Sequence, residues 1–219
     1  MSSSKNANFY FGISDNKIYI CFIDNKKNKL SDSVSFDIPD SLSNNLNFKI
    51  ILSLLRKNIR KLEKDIGLFV NSGNISIKSK SYQSILFSVK DIFDERELEK
   101  EVIIKLVRVA MQQLQKCEKN LTIIHVIINK YVIDDKVYNF FPNYKKFTKI
   151  ILEIEFICLN KILIEKVKKL FNECKIDVKK IVSYDYAKKF LNNIKDDTLC
   201  LSAYEILNGA NQSEVILTE

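Results

Sequence analysis

Residues 46–66 carry Leu46, Ile50, Ile51, Leu54, Leu55, Ile59, Leu62 and Ile66 at helical spacing, with Asn44 or Asn45 available as N-cap and Gly67 at the far end. An amphipathic helix of this length needs a sheet or another helix under its apolar stripe. The flanking sequence supplies a sheet. Residues 9–13 and 17–23 are β-rich runs separated by Ser14, Asp15 and Asn16, which reads as a hairpin. Residues 33–38 alternate with period two before Pro39 and give a third strand. Leu68, Phe69 and Val70 form a short fourth, ahead of a turn at Asn71, Ser72 and Gly73. Three strands, a helix and a strand make the start of an α/β domain with some α+β character.

Residues 78–159 change rhythm and read as an inserted unit. Residues 85–89 are a strand, and Asp94 caps a helix whose inner face is Leu98, Val102, Ile103, Leu106, Val107, Ala110, Met111 and Leu114. Residues 122–133 are the longest β-rich stretch. In residues 149–158, Ile150, Leu152, Ile154, Phe156 and Cys158 alternate with Ile151, Glu153, Glu155 and Ile157, so one face of that strand is wet. The unit is therefore strand, helix, strand, strand. Beyond it, Asn160 caps a helix carrying Leu163, Val167, Leu170, Phe171 and Cys174 on one face, and residues 176–182 form a short run. A further helix spans residues 184–194, and Asp196, Asp197 and Thr198 open a last one that reaches Leu207. Residues 214–219 have no partner visible in the sequence.

Composition narrows the function classes. The 219 residues are 46% hydrophobic and carry 35 Lys+Arg against 27 Asp+Glu, a formal charge of +8. Only Arg56, Arg60, Arg96 and Arg108 are arginines, and Lys accompanies heavy use of Ile, Asn, Phe and Tyr. An A/T-rich genome produces that excess without any ligand, so nucleic acid is the lesser reading of the charge. That alternative would use Lys161, Lys166, Lys168, Lys169, Lys175, Lys179 and Lys180 as one basic stripe. No run approaches the roughly 18 apolar residues of a spanning helix, and Met1 leads into no signal-peptide stretch. The chain is expected in the cytoplasm.

Chemistry is sparse. Cys21, Cys117, Cys158, Cys174 and Cys200 are odd in number and include no C-x-x-C pair, and His125 is the only imidazole, so neither zinc nor a disulfide framework is expected. His125 reads as a hydrogen-bonded strand residue, and the cysteines lie mostly at apolar periodic positions that read as core, Cys174 and Cys158 most clearly. Gly12, Gly67, Gly73 and Gly209 are isolated, which excludes a P-loop or dinucleotide fingerprint. The pairs Asp134, Asp135 and Asp196, Asp197 suit turns and caps, and Ser14 and Ser72 suit turns. No active site is evident and the chain is not expected to be an enzyme.

The order of elements and several phrases resemble the bacterial cell-division protein family FtsA, of the actin-like ATPases. Residues 124–136, Ile-His-Val-Ile-Ile-Asn-Lys-Tyr-Val-Ile-Asp-Asp-Lys, are similar to a family strand that runs into a Val-Asp-Gly turn, with Asp135 in place of the glycine. Residues 163–181, and 182–187 (Val-Ser-Tyr-Asp-Tyr-Ala), resemble the family's return to its first subdomain; residues 69–74 resemble its "Val-Gly-Ile-Ser-Gly" strand end. The resemblance covers most of the chain. It implies a reduced, ribonuclease H-like first subdomain, residues 1–77 and 160–219, with the strand-helix-strand-strand module inserted at 78–159.

Both phosphate loops of the family depart from pattern. Gly12-Ile13-Ser14-Asp15-Asn16-Lys17 lacks the second glycine of the first, and Asp196-Asp197-Thr198-Leu199-Cys200 leads into a helix where the second should lie. No cofactor is therefore expected, ATP included. The resemblance implies a non-catalytic divisome protein at the septum, working at the inner face of the membrane, with other division proteins as partners and self-association through the module also open. Membrane attachment would need a C-terminal tail, and residues after Glu214 do not have that character. A pilus-assembly-type adaptor is the other role that actin-like relatives suggest. Within the module, Tyr131, Asp134, Lys136, Tyr138, Phe140 and Phe141 gather near one turn and are the candidate partner contacts.

Overall fold

The computed structural model describes residues 7–24, 29–38, 48–142, 146–189 and 199–207. In chain order the elements are β1 (Ala7–Ile13), β2 (Lys17–Asp24), β3 (Lys29–Asp37), α1 (Phe48–Ile66), β4 (Ser72–Ile77), β5 (Gln83–Arg96) and α2 (Lys100–Cys117). There follow β6 (Leu121–Ile133), β7 (Lys136–Tyr138), β8 (Phe147–Asn160), α3 (Lys161–Glu173), β9 (Asp177–Ser183), α4 (Tyr184–Ala187) and α5 (Leu199–Leu207). They form a mixed α/β fold with two sheets. The chain divides into one unit made of Met1–Tyr82 with Lys161–Ala210 and a second built on Gln83–Asn160.

The first unit is a five-stranded sheet in the order β3-β2-β1-β4-β9. β1, β4 and β9 run parallel, and β2 and β3 are antiparallel additions. Parallel strands of this kind are covered on both faces. Alternation along β1 shows how. Phe11 meets Phe171 of α3 edge-on at 4.7 Å, whereas Tyr10 meets Tyr204 of α5 at 5.7 Å. Ile51, Leu55, Ile59 and Leu62 are the buried stripe of α1, and Arg56 ties that helix to α3 by donating to the Glu173 carbonyl at 2.6 Å. Gly67, at φ +69°, ends α1 with its N–H on the Glu63 carbonyl.

On the other face, α5 lies over Tyr10, Gly12 and Ser76. The Ser76 and Ser202 hydroxyls, both fully buried, are 2.7 Å apart, and Ser202 Oγ also donates to the Leu199 carbonyl at 2.6 Å. Buried hydroxyls of this kind are worth little in net energy when paired and cost far more when one is orphaned.

The second unit is a four-stranded antiparallel sheet, β5-β8-β6-β7, with α2 on one face. Val102, Leu106, Val107 and Ala110 of α2 share one core with Val89, Val126, Ile128, Leu152, Ile154 and Phe156. The opposite face is polar in part: Lys130 pairs with Glu153 at 3.1 Å, and Ser84 Oγ donates to Glu155 at 2.5 Å. The wet face expected for residues 149–158 is seen at Glu153 and Glu155 but ends at Ile157, which is fully buried.

Three elements differ from the sequence expectation. Leu68, Phe69 and Val70 are not a strand: the Val70 N–H is held by the Glu63 carboxylate at 2.9 Å, and Phe69 is 86% exposed. The strand begins instead at Ser72, inside the expected turn, because Ser72 already pairs with Asp177 on β9. Asp94 caps no helix. Pairing with β8 carries β5 past it to Arg96 through a bulge, with Glu95 at φ 21°, and α2 starts at Lys100 behind an extended Glu99. The helix expected over 184–194 is described only as the four residues of α4, capped by Ser183; residues 190–198 lie outside the described residues, as do Asn44, Asn45, Gly209 and 214–219.

Ser202→Ala should destabilise the chain by about 1–3 kcal/mol, since Ser76 is left buried without its partner. Urea denaturation followed by circular dichroism would measure this, and Ser76→Ala/Ser202→Ala should recover part of the loss.

Candidate functional site

The residues singled out in the module come together at the β6–β7 hairpin. Ile133 pairs with Lys136, so Asp134 and Asp135 are the two residues of the loop, at φ 44° and 67°. Two successive positive φ values define the tight turn that matches strand twist, and aspartate tolerates it where most side chains do not. The absent glycine is therefore replaced without loss of the turn.

Asp134 is engaged by its own chain. Its carboxylate accepts from the Thr148 N–H at 3.1 Å, the Thr148 hydroxyl at 3.0 Å and the Lys149 N–H at 2.9 Å. These donors, that of Lys149 foremost, hold its carboxyl below the usual aspartate value. Lys149 also pairs with Asp135. The turn is thus latched onto the start of β8.

The aromatics divide into two roles. Tyr131 is buried and receives Phe141 edge-on at 6.0 Å, and Tyr138 packs against the module core. Burial pushes the Tyr131 phenol up. Phe140 is 73% exposed, Val137 60% and Phe141 41%, and Lys136 is exposed beside them. Of the expected contacts, then, Phe140, Phe141 and Lys136 present a surface, while Tyr131, Tyr138 and Asp134 hold it in shape.

A second candidate, not foreseen from the sequence, lies in the first unit at the carboxyl ends of β1, β4 and β9. Open sheets with parallel strands place ligand clefts at such ends. A cleft of about 360 Å3 is lined there by Ser14, Asp15, Lys78, Ser79, Lys80 and Asp185, among others. Its donors are largely spent within the protein. Ser14 closes the β1–β2 turn, its N–H on the Lys17 carbonyl at 2.9 Å and its hydroxyl on the same oxygen at 3.1 Å. The Lys78 N–H donates to the Ile13 carbonyl at 2.8 Å and the Ser79 N–H to Asp185 at 3.5 Å. Lys80 pairs loosely with Asp15 at 3.9 Å, and Lys78 lies over the Tyr184 ring at 5.4 Å. A lysine-rich phrase directly after a strand was the available signal; nothing in the sequence says that this strand pairs beside β1.

Gly12 precedes this cleft on β1 and lies against Leu199, which lines it. A Cβ there would lie 2.7 Å from Leu199 Cδ2 and 2.9 Å from Leu199 Cβ. The glycine of the first loop is thus needed for helix packing.

Elsewhere the chemistry is quiet. His125 is buried in β6 and Cys158 in β8, and burial pushes the Cys158 thiol up to about 11. Cys200 is raised as well, by burial and by the neighbouring Cys21. Thiols held protonated in this way are poor nucleophiles. Among the described residues no group of three His, Cys, Asp or Glu side chains could hold a metal, and no helix is long and apolar enough to cross a membrane. The lysines of the expected basic stripe are interrupted: Glu165 and Glu173 are exposed among them, Lys169 lies over the Phe48 ring, and Lys179 pairs with Asp177.

No family model matches the chain, and no curated protein does. Solved structures do resemble it. One is described as the "PilM-PilN type IV pilus biogenesis complex", 8% identical over 82% of this chain and 48% of that one, with a TM-score of 0.49. Another is cyto-EpsL, the cytoplasmic domain of an inner membrane component of the type II secretion system of Vibrio cholerae, 9% identical over 87% and 59%, TM-score 0.39. A third, from Bacteroides thetaiotaomicron, has an actin-like ATPase fold and unknown function; it is 12% identical over 85% and 56%, TM-score 0.34. The chain spans about half the length of these structures. Each likeness is partial, and it extends neither to FtsA in particular nor to any activity.

Gly12→Ala should destabilise by about 1–3 kcal/mol through overpacking against Leu199, read as a lowered denaturation midpoint. Asp134→Asn keeps the turn but removes the charge. A carboxyl held below its unfolded value stabilises above that value and loses the effect as pH falls through the folded one. The stability gap between wild type and Asp134→Asn should therefore be widest at neutral pH and close in acid, as melting curves over a pH series would report.

Proposed function

We propose that the chain is a non-catalytic, FtsA-like adaptor that binds a partner protein through the β6–β7 hairpin of its inserted module. The observation that carries this reading is the exposure of Phe140, Val137 and Phe141 on a turn locked by Asp134 and backed by Tyr131. Partly exposed aromatics on a rigid support are the usual anchors of protein interfaces, because little side-chain entropy remains to be lost on binding. The cleft at the strand ends supports the non-catalytic part. Its turn spends the Ser14 N–H on the Lys17 carbonyl, and Leu199 occupies the space above Gly12, which narrows the room for a phosphate against the end of β1.

The resemblance of residues 124–136 favours division proteins as the partners; a pilus-assembly-type adaptor would use the same surface in a different machine. Affinity capture from the native cell with wild type and with Phe140→Ala/Phe141→Ala separates these. Recovery of division proteins and mid-cell localisation, both lost in the double variant, would support the first. Recovery of envelope-assembly proteins would support the second, and a partner set unchanged by the variant would remove the hairpin from either. The double variant should stay folded with at most a modest fall in melting temperature, since Phe140 is 73% exposed and Phe141 loses its edge contact with Tyr131. Magnesium-ATP at millimolar concentration should leave thermal unfolding unshifted; a saturable upward shift would overturn the nucleotide-free part of the reading.

A further inference from the structure

We infer that the solvent face of α1 is a sequence-independent binding surface for the phosphate backbone of a duplex nucleic acid. The whole-chain excess of lysine follows from composition, but its placement on this helix does not. α1 carries Lys49, Arg56, Lys57, Arg60, Lys61 and Lys64 against Glu63 and Asp65, so its 19 residues hold four of the chain's eight net positive charges. Ile51, Leu55, Ile59 and Leu62 seat the helix. With about 3.6 residues per turn, that stripe turns Lys49, Lys57, Arg60 and Lys64 outward, with Lys61 beside them. All five are exposed, and among the described residues none of them is ion-paired. Arg56 stands at the flank and pairs with Glu173. The carboxylates are turned elsewhere: Glu63 is half-buried and accepts the Val70 N–H, and Asp65 stands about 100° around the helix from Lys64. Lys57 with Lys61, and Arg60 with Lys64, are like charges four residues apart, an arrangement that costs a helix stability when nothing anionic lies against it.

The make-up of the face selects among anionic partners. An acidic protein would need an apolar anchor as well, since interface cores are rich in aromatics and poor in lysine. A lipid surface takes up helices that turn an apolar face to the acyl chains. α1 keeps its apolar stripe buried in the first unit, and the large apolar side chain it exposes is Ile50, at the first turn. A phosphate backbone asks for neither, because its binding is driven by release of condensed counterions when cations line up with its charges. Single strands are held by stacking their bases on aromatic rings, and this face carries none, so a duplex is the occupant that fits. Lys49 to Lys64 spans about 22 Å at about 1.5 Å per residue, over which one strand of a B-form duplex presents about six phosphates. The ridge on α3 differs, because Glu165 and Glu173 interrupt it.

Fluorescence anisotropy of the full chain with a labelled DNA duplex of about 25 base pairs, over a salt series, tests this. The logarithm of the binding constant should fall against that of salt with a slope of about −4 to −5, from five cations at about 0.9 each. Lys57→Gln/Arg60→Gln/Lys64→Gln should weaken binding at low salt at least about tenfold and flatten the slope by about 3. Lys90→Gln/Lys105→Gln/Lys116→Gln removes the same charge from exposed positions in the other unit and should bind like wild type. Phe140→Ala/Phe141→Ala should also bind like wild type, which keeps this activity separate from that of the hairpin. Circular dichroism should show every variant folded, since the replaired positions are on the surface. Duplexes of unrelated sequence, DNA or RNA, should bind within a few-fold of one another. Absence of binding at low salt would overturn the proposal, as would equal loss in the charge-matched control or loss in the hairpin variant. Tighter binding to single strands than to duplexes, a strong sequence preference, or binding confined to phosphatidylglycerol vesicles would overturn it too.

Discussion

The first unit depends on the seat of α5 against the sheet. Ser202 reaches Ser76, Tyr204 meets Tyr10, and Leu199 rests on Gly12, so one short helix touches the central strands β1 and β4 through a polar, an aromatic and an aliphatic contact. Each is possible only because its strand residue faces that side. Odd-numbered Phe11 is turned to α3 and even-numbered Tyr10 and Gly12 to α5. Without the helix, the β1–β4 face would expose buried hydroxyl and apolar surface together, which no parallel pair tolerates.

That seat also decides what the strand ends can do. A loop that grips phosphate needs an open backbone and uncommitted N–H groups at the end of β1. Here the same backbone lies against Leu199 and is closed by Ser14, while Lys80 meets Asp15 and the Asp185 carboxylate accepts the Ser79 N–H. Exposed pairs of that kind contribute little stability. Stability of the sheet and access to its strand ends are competing uses of one position, and Gly12 shows the first prevailing.

Elements with a sustained period were legible from sequence. α1, the β1–β2 hairpin, β6, β8 and α3 each carry an apolar pattern set by one face being buried, and burial does not depend on knowing the neighbour. The failures share a cause. Leu68 to Val70 look like a strand by composition, yet Glu63 takes the Val70 N–H and β9 begins its pairing only at Ser72. Asp94 looks like a cap, yet pairing with β8 keeps the chain extended beyond it. In both, a non-local hydrogen bond outweighed a local preference of a few tenths of a kcal/mol. The hairpin aromatics were legible as a group because they cluster around one turn. Their division into support and surface was not, since it rests on where Phe141 lands relative to Tyr131. The cleft was illegible, because Ser14, Lys78 and Asp185 meet only through the order β1-β4-β9.

Among the described residues the module's sheet ends in β5 and β7, and the two strands differ in how they are finished. At β7 the strand is three residues long, its turn is fixed by Asp134, and its apolar side chains are Val137 and Tyr138, with exposed Phe140 just beyond them. Short edge strands offer too little backbone for sheet extension, so recognition there must go through side chains, which favours a shaped partner. At β5 the strand is 14 residues long and pairs along β8 up to the bulge, and its exposed side chains include Leu86 and Ile92 beside Ser88 and Lys90. The long strand spends its length on β8, whereas the short one leaves its side chains to define the surface around the turn.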